Sequence, residues 1–183
     1  AFFRGECEPG PSQANEATEA YVPDIGALRS SDYDGWQTYT NAAYGFSLRY
    51  PPSWAVAEVT GPTDTMAGHR IDLTTQEDEE AVLLIAFKAT SEDRRITPTG
   101  MGAGDIIERG TVVFLDQELA RAALVLDGKD VGVLYGGGGE IDRGDTAFWI
   151  NLHYRGDLRT GPGLSTSIQE TADRIVASIR RVE

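Results

Sequence analysis

The chain is expected to be an α+β protein: one domain built on a twisted antiparallel β-sheet of about six to eight strands, sandwiched by helices, with a C-terminal amphipathic helix packed on one face. Three observations predict this. From Trp36 onward the 183-residue sequence breaks into short β-type runs separated by Gly, Pro, Asn and Asp. One hairpin signal, Asp127-Gly128, falls between two such runs. The end of the chain then changes period, with Ile168, Ala172, Ile175, Val176, Ile179 and Val182 at helical spacing.

In chain order, residues 1–30 read as a flexible tail and 31–183 as the folded domain. Gly5 to Ala20 (GECEPGPSQANEATEA) holds no large apolar side chain, so it has nothing to bury that would offset the entropy of ordering. Tyr21, Val22, Ile25 and Leu28 suggest a short helix near residues 21–29 or an arm lying on the domain. Gln37–Thr40 is a first strand and Gly45–Tyr50 a second, whose Phe46, Leu48 and Tyr50 share one face while Ser47 and Arg49 share the other. Pro51 and Pro52 end that strand because neither can donate a ladder hydrogen bond. Trp54 follows as a corner plug, leading into Val56–Val59.

Further strands are predicted at Arg70–Thr74, Val82–Phe87, Thr111–Leu115, Ala120–Leu126, Val131–Tyr135 and Ala147–Tyr154. The run AVLLIAF at Ala81–Phe87 is apolar on both faces and belongs at the sheet centre. Ala120, Ala122, Leu124 and Leu126 alternate with Arg121 and Asp127, which implies poorer cover. In the terminal helix Thr166 and Gln169 have the spacing of a capping box, and Glu170, Asp173, Arg174, Arg180 and Arg181 are expected mostly toward water.

The order Tyr44, short turn, Gly45-Phe46-Ser47-Leu48-Arg49-Tyr50-Pro51, Trp54, followed by antiparallel strands and a helix ending in Ala177-Ser178-Ile179-Arg180, resembles the superfamily named after PsbP. PsbP is an extrinsic subunit of photosystem II. The same fold serves a Ran-binding nuclear import factor and many bacterial envelope lipoproteins, and the resemblance lies nearer the envelope members. It covers residues 36–182 and rests on a short structural motif. It implies the sandwiched sheet and a binding or assembly role without catalysis; no functional residue is carried over.

Composition narrows the function. The formal net charge of -13, from 29 acidic and 16 basic residues, repels nucleic acid and anionic lipid. No apolar run reaches the ~18 residues that a membrane-spanning helix needs, so a membrane association is expected only through an anchor upstream of Ala1. Cys7 is the single cysteine, which excludes an intrachain disulfide. The large, charged Glu6 before it departs from a lipoprotein cleavage signal, so Cys7 reads as an unpaired thiol in the tail.

His69 and His153 lack metal-site spacing, His69 reading as a loop residue and His153 as a strand residue. Gly136–Gly139 and the GMGAG at Gly100–Gly104 lack the partners of phosphate-binding and dinucleotide loops. Asp32 and Asp34 supply half of a calcium loop, and Glu77, Asp78, Glu79 and Glu80 read as a solvated hairpin tip. Arg143-Gly144-Asp145 and Arg155-Gly156-Asp157 read as turns. No catalytic, cofactor-binding or metal residue is therefore assigned. The expectation is a noncatalytic, extracytoplasmic protein-binding module, secreted or in the cell envelope. The alternatives are a small-molecule or divalent-cation binding protein and an enzyme with a spatially assembled site.

Overall fold

The computed structural model describes residues 21–23, 30–59, 69–93, 95–96 and 104–182. The tail reading of residues 1–20, Cys7 included, most of the short helix near 21–29, and all of GMGAG except Gly104 lie outside these residues. Eleven strands and one α-helix are described: β1 Gln37–Asn41, β2 Phe46–Tyr50, β3 Trp54–Val59, β4 His69–Thr75, β5 Ala81–Ala89, β6 Asp105–Phe114, β7 Gln117–Leu126, β8 Lys129–Tyr135, β9 Ile141–Arg143, β10 Thr146–Tyr154, α1 Thr166–Ala177 and β11 Arg180–Arg181. Every strand pairing is antiparallel.

The main sheet has eight strands in the order β3-β4-β5-β10-β8-β7-β6, with β9 paired to the outer part of β10. The strand expected at the centre is there: β5 lies between β4 and β10, and its residues Ala81 to Lys88 are buried on both faces. One face carries Leu83, Ile85 and Phe87 into the main core; the other carries Leu84 and Ala86 into a small cluster with Trp149 and Ile96. Lys88 is buried as well, its Nζ 3.1 Å from Glu140 Oε2, while Glu140 Oε1 accepts the Ile96 amide at 2.9 Å. That carboxylate ties the chain beyond β5 to the sheet.

The second sheet, β1-β2-β11, answers the question of what covers the core. Phe46 and Leu48 are wholly buried, and Phe46 meets Phe87 and Phe148 edge-on at 5.0 and 5.3 Å, with Phe114 meeting Phe148 at 5.2 Å. Trp54 fills the corner at 4% exposure, in the same core as Phe46 and Ile175. Sandwiching by helices is thus corrected. Among the described residues there is one α-helix, and the small sheet shares the core-facing side of the large one with it.

The cause lies at the end of α1. The apolar period that suggested a helix as far as Val182 stops being helical at Ser178. The Ser178 hydroxyl accepts the Arg49 amide at 2.8 Å and donates to the Ile175 carbonyl at 2.6 Å, which draws the chain onto β2. Ile179 stays buried, and Arg180 and Arg181 pair with Ser47 and Phe46 as β11. The helix start is also corrected: the cap is Ser165, whose side chain accepts the Ile168 amide, and Gln169 does not close a capping box. Strand β6 begins six residues before the expected Thr111, because a register irregularity between Glu108 and Thr111 masks the alternation.

Candidate functional site: a sealed ionic hub and an open arginine cleft

Two polar constellations stand out, and their exposure separates their roles. The first lies between the sheet and α1. Arg121 on β7 and Tyr135 on β8 are directly opposed across the strands, so both side chains point to the helix. Gln169 and Asp173, four residues apart, share the facing side of α1. Arg121 Nε donates to both Asp173 carboxylate oxygens at 3.0 Å, and its Nη2 donates to Gln169 Oε1 at 2.9 Å. The Tyr135 hydroxyl donates to Asp173 Oδ1 at 2.7 Å. Gln169 Nε2 passes the network on to Asp130 Oδ2 at 3.0 Å, where Arg109 Nη1 also donates at 2.9 Å.

Arg121 and Asp173 are each 1% exposed. The Tyr21 ring lies 5.0 Å from the Arg121 guanidinium carbon, and Arg121 Nη1 is buried without a hydrogen-bond partner. Burial pushes the Asp173 carboxyl up, and Arg121 and the Tyr135 hydroxyl oppose that push. Burial and the neighbouring Asp173 likewise drive the Tyr135 phenol well above its ordinary value. A Tyr-Asp-Arg set has the parts of an acid–base site, but the Asp173 carboxylate, the Tyr135 hydroxyl and Arg121 Nε and Nη2 are spent within the hub. The hub positions α1 on the sheet.

Sequence reading assigned Asp173 to water and took Arg121 as a sign of thin cover; both are corrected. A signal was present. Gln169, Ala172, Asp173 and Val176 continue the buried i, i+3, i+4, i+7 stripe of α1, and Arg121 interrupts an otherwise apolar strand. Two polar residues on facing apolar surfaces imply each other.

The second constellation is open. A cleft of about 340 Å³ is lined by Leu115, Asp116, Gln117, Arg143, Gly144, Arg180 and Arg181. It forms where two tight hairpins and β11 meet. Leu115 and Asp116 are the two-residue loop between the paired Phe114 and Gln117, with φ of 48° and 61°. Positive φ at both central positions suits the twist of a two-residue hairpin, but a side chain there costs roughly 1–2 kcal/mol per residue. The packing of Leu115 against the core offsets part of that cost.

On the facing hairpin Gly144 has φ of 66°, and a Cβ there would come within 3.0 Å of Arg181 Nη2, so this glycine makes room for the guanidinium. Arg143 is steered by the Phe114 ring, 5.7 Å from its guanidinium carbon. Its Nη1 donates to the Asp142 carbonyl, and its Nε is buried without a partner. Arg180 Nη1 donates to the Ala177 and Ile179 carbonyls at 2.7 and 2.8 Å, closing the end of α1. Arg70, Arg109, Arg121 and Arg155 each pair with a carboxylate; among the described residues Arg143, Arg180 and Arg181 do not, and neither do Arg49, Arg159 and Arg174 away from the cleft. Sequence reading took Arg143-Gly144-Asp145 as a turn, which it is, and could not see that this turn faces β11.

The remaining candidates scatter. His69 is the first residue of β4, not a loop residue, and its ring stacks on Phe87 at 6.0 Å. His153 sits on β10 beside Trp149 at 6.1 Å. Their β5 neighbours, Phe87 and Val82, are five residues apart, about 17 Å along the strand, and the two histidines stand on opposite sides of β5 and on opposite faces, so their imidazoles are farther apart than that. Glu77, Glu79 and Glu80 are exposed at the β4–β5 tip, Asp32 lies within the 3-10 turn Ser30–Tyr33 and Asp34 follows it, and Gly136–Gly138 form a second such turn. Among the described residues no three His, Cys, Asp or Glu side chains group as metal ligands would.

His153 gives a pH prediction. Burial lowers its pKa, Arg155 and Arg70 add to the effect, and Asp72 opposes it. The unfolded chain therefore takes up a proton near pH 6.5 that the folded chain refuses, and stability falls as pH drops through that value. His153→Gln is expected to shrink the loss of thermal midpoint between pH 7.5 and 5.5. An unchanged loss would place the sensitivity elsewhere.

No family model and no curated protein matches the chain. Among solved structures it is similar to the solution structure of cyanobacterial PsbP from Synechocystis sp. PCC 6803, with a TM-score of 0.47 and 13% identity over 86% of this chain and 98% of that one. It is also similar to a crystal structure from Bacteroides thetaiotaomicron VPI-5482, with a TM-score of 0.45 and 12% identity over 81% of this chain. It spans 49% of that longer chain.

Proposed function

We propose that the chain is a noncatalytic, extracytoplasmic binding or assembly module that engages a protein partner at the end of the molecule where the β6–β7 turn, the β9–β10 turn and β11 meet. The observation that supports this reading is the cleft there. In a chain with 29 acidic and 16 basic residues, Arg143 and Arg181 line an open cleft without a carboxylate partner among the described residues, and Arg180 borders it while its guanidinium closes the end of α1. Unpaired arginine is a frequent anchor of protein interfaces, because its planar fork of donors recognises acidic groups and its stem covers apolar surface. The extracytoplasmic and noncatalytic parts of the reading rest on the resemblance to envelope proteins drawn from the sequence.

The test places a photo-crosslinking residue at Gln117, on the cleft, and separately at Thr40, an exposed position on β1. Both are made in the full-length precursor expressed in its own host. A discrete protein adduct from Gln117 and none from Thr40 is expected, in the envelope or secreted fraction. Adducts from neither site, or purely cytosolic material, would contradict the proposal.

A further inference from the structure

We infer that the cleft is a carboxylate-binding site that takes an acidic peptide segment, which rests on the protein-binding reading above and assigns the chemistry of the partner. Three features carry it. Two guanidinium groups come from separate elements, Arg143 from the end of β9 and Arg181 from β11, so they flank an opening and do not close on a point, while Arg180 leaves β11 on the other face and turns to the end of α1. Arg143 is held by the Phe114 ring and the Asp142 carbonyl, Arg180 by the carbonyls at the end of α1, and the absence of a side chain at Gly144 leaves room for the Arg181 guanidinium. Cations so held lose less conformational freedom when they bind, and an arginine fork matches a carboxylate with two hydrogen bonds.

The surroundings favour a peptide over a compact inorganic anion. The cleft has room for several side chains, includes the apolar Leu115, and presents a strand edge, because β11 pairs with β2 on one side only. An extended segment laid along β11 would carry its carboxylates to Arg143 and Arg181 and its stems past Leu115. Two charges oppose binding and define the test. The net charge of -13 repels an acidic ligand at long range, so the attraction must be local, within a Debye length of about 8 Å at physiological salt. Asp116, on the cleft wall, repels it at close range.

The experiment titrates the 183-residue chain into fluorescein-labelled hexa-aspartate and reads anisotropy at fixed ionic strength, with hexa-asparagine as the uncharged control. Saturable binding of the acidic peptide alone is expected. Arg143→Gln and Arg181→Gln should each weaken it about tenfold, the loss expected for about 1.4 kcal/mol. Asp116→Asn removes a repelling charge at a left-handed position that asparagine accepts, and should tighten binding about two- to threefold. All three replaced side chains lie at the surface or cleft wall, and unchanged thermal midpoints certify the fold. The inference is overturned if hexa-aspartate does not bind. It is overturned too if the Gln variants bind as well as the parent, if Asp116→Asn weakens binding, or if inorganic phosphate displaces the peptide at equal or lower concentration. A Gln117 adduct that survives the double Arg143→Gln/Arg181→Gln change would keep the protein-binding reading and remove this one; peptide binding without any adduct would do the reverse.

Discussion

Replacing Asp173 by alanine is expected to destabilise the protein by about 3–5 kcal/mol, because it leaves the Arg121 guanidinium buried without its counter-charge. For a domain of this length that is roughly a 6–20 °C fall in thermal midpoint. The pair itself adds little net stability, since its mutual attraction mostly offsets the loss of water around both ions. The double change Arg121→Met/Asp173→Leu is therefore expected to recover part of the loss, apolar side chains filling the space between β7 and α1 while the Tyr135 hydroxyl and Gln169 lose their partners in the pair. Urea titration of the three variants checks both halves. A loss below about 1 kcal/mol in Asp173→Ala would show that water reaches the hub, and that α1 is held by its apolar stripe alone.

The second large effect is expected at Phe46. Its ring is wholly buried and touches Phe87 on β5 and Phe148 on β10, so it joins the small sheet to the large one. Phe46→Ala should cost about 3–5 kcal/mol through lost burial and the cavity left behind. Thr40→Ala, at an exposed position of the adjacent β1, should stay within about 0.5 kcal/mol. Denaturant unfolding measures both. Similar small losses at the two positions would mean that β1 and β2 do not seal the core in solution.

What the sequence made legible follows from which signals are local. The period of two in Phe46, Leu48 and Tyr50, the two-faced apolar run of β5, the hairpin at Asp127-Gly128 and the stripe of α1 each lie within one element, and each has its structural counterpart. Errors fell where a distant partner decides. Ser178 ends the helix because Arg49, 129 residues earlier in the chain, offers its backbone. Asp173 is buried because Arg121 faces it across 52 positions. The arginine cleft needs three turns and strand ends brought together, and no run of adjacent residues encodes that meeting. Arg180 and Arg181 read as the solvated end of a helix and become a strand on the cleft wall.

The division of labour between a structural hub and a binding cleft is tested most directly by amide hydrogen exchange on the intact chain, with and without saturating hexa-aspartate. Slower exchange confined to Leu115–Gln117, Arg143–Gly144 and Arg180–Arg181, with the amides around Arg121, Tyr135 and Asp173 unaltered, is the predicted result. Slowing centred on α1 and β7 instead, or none at the three cleft segments, would contradict it.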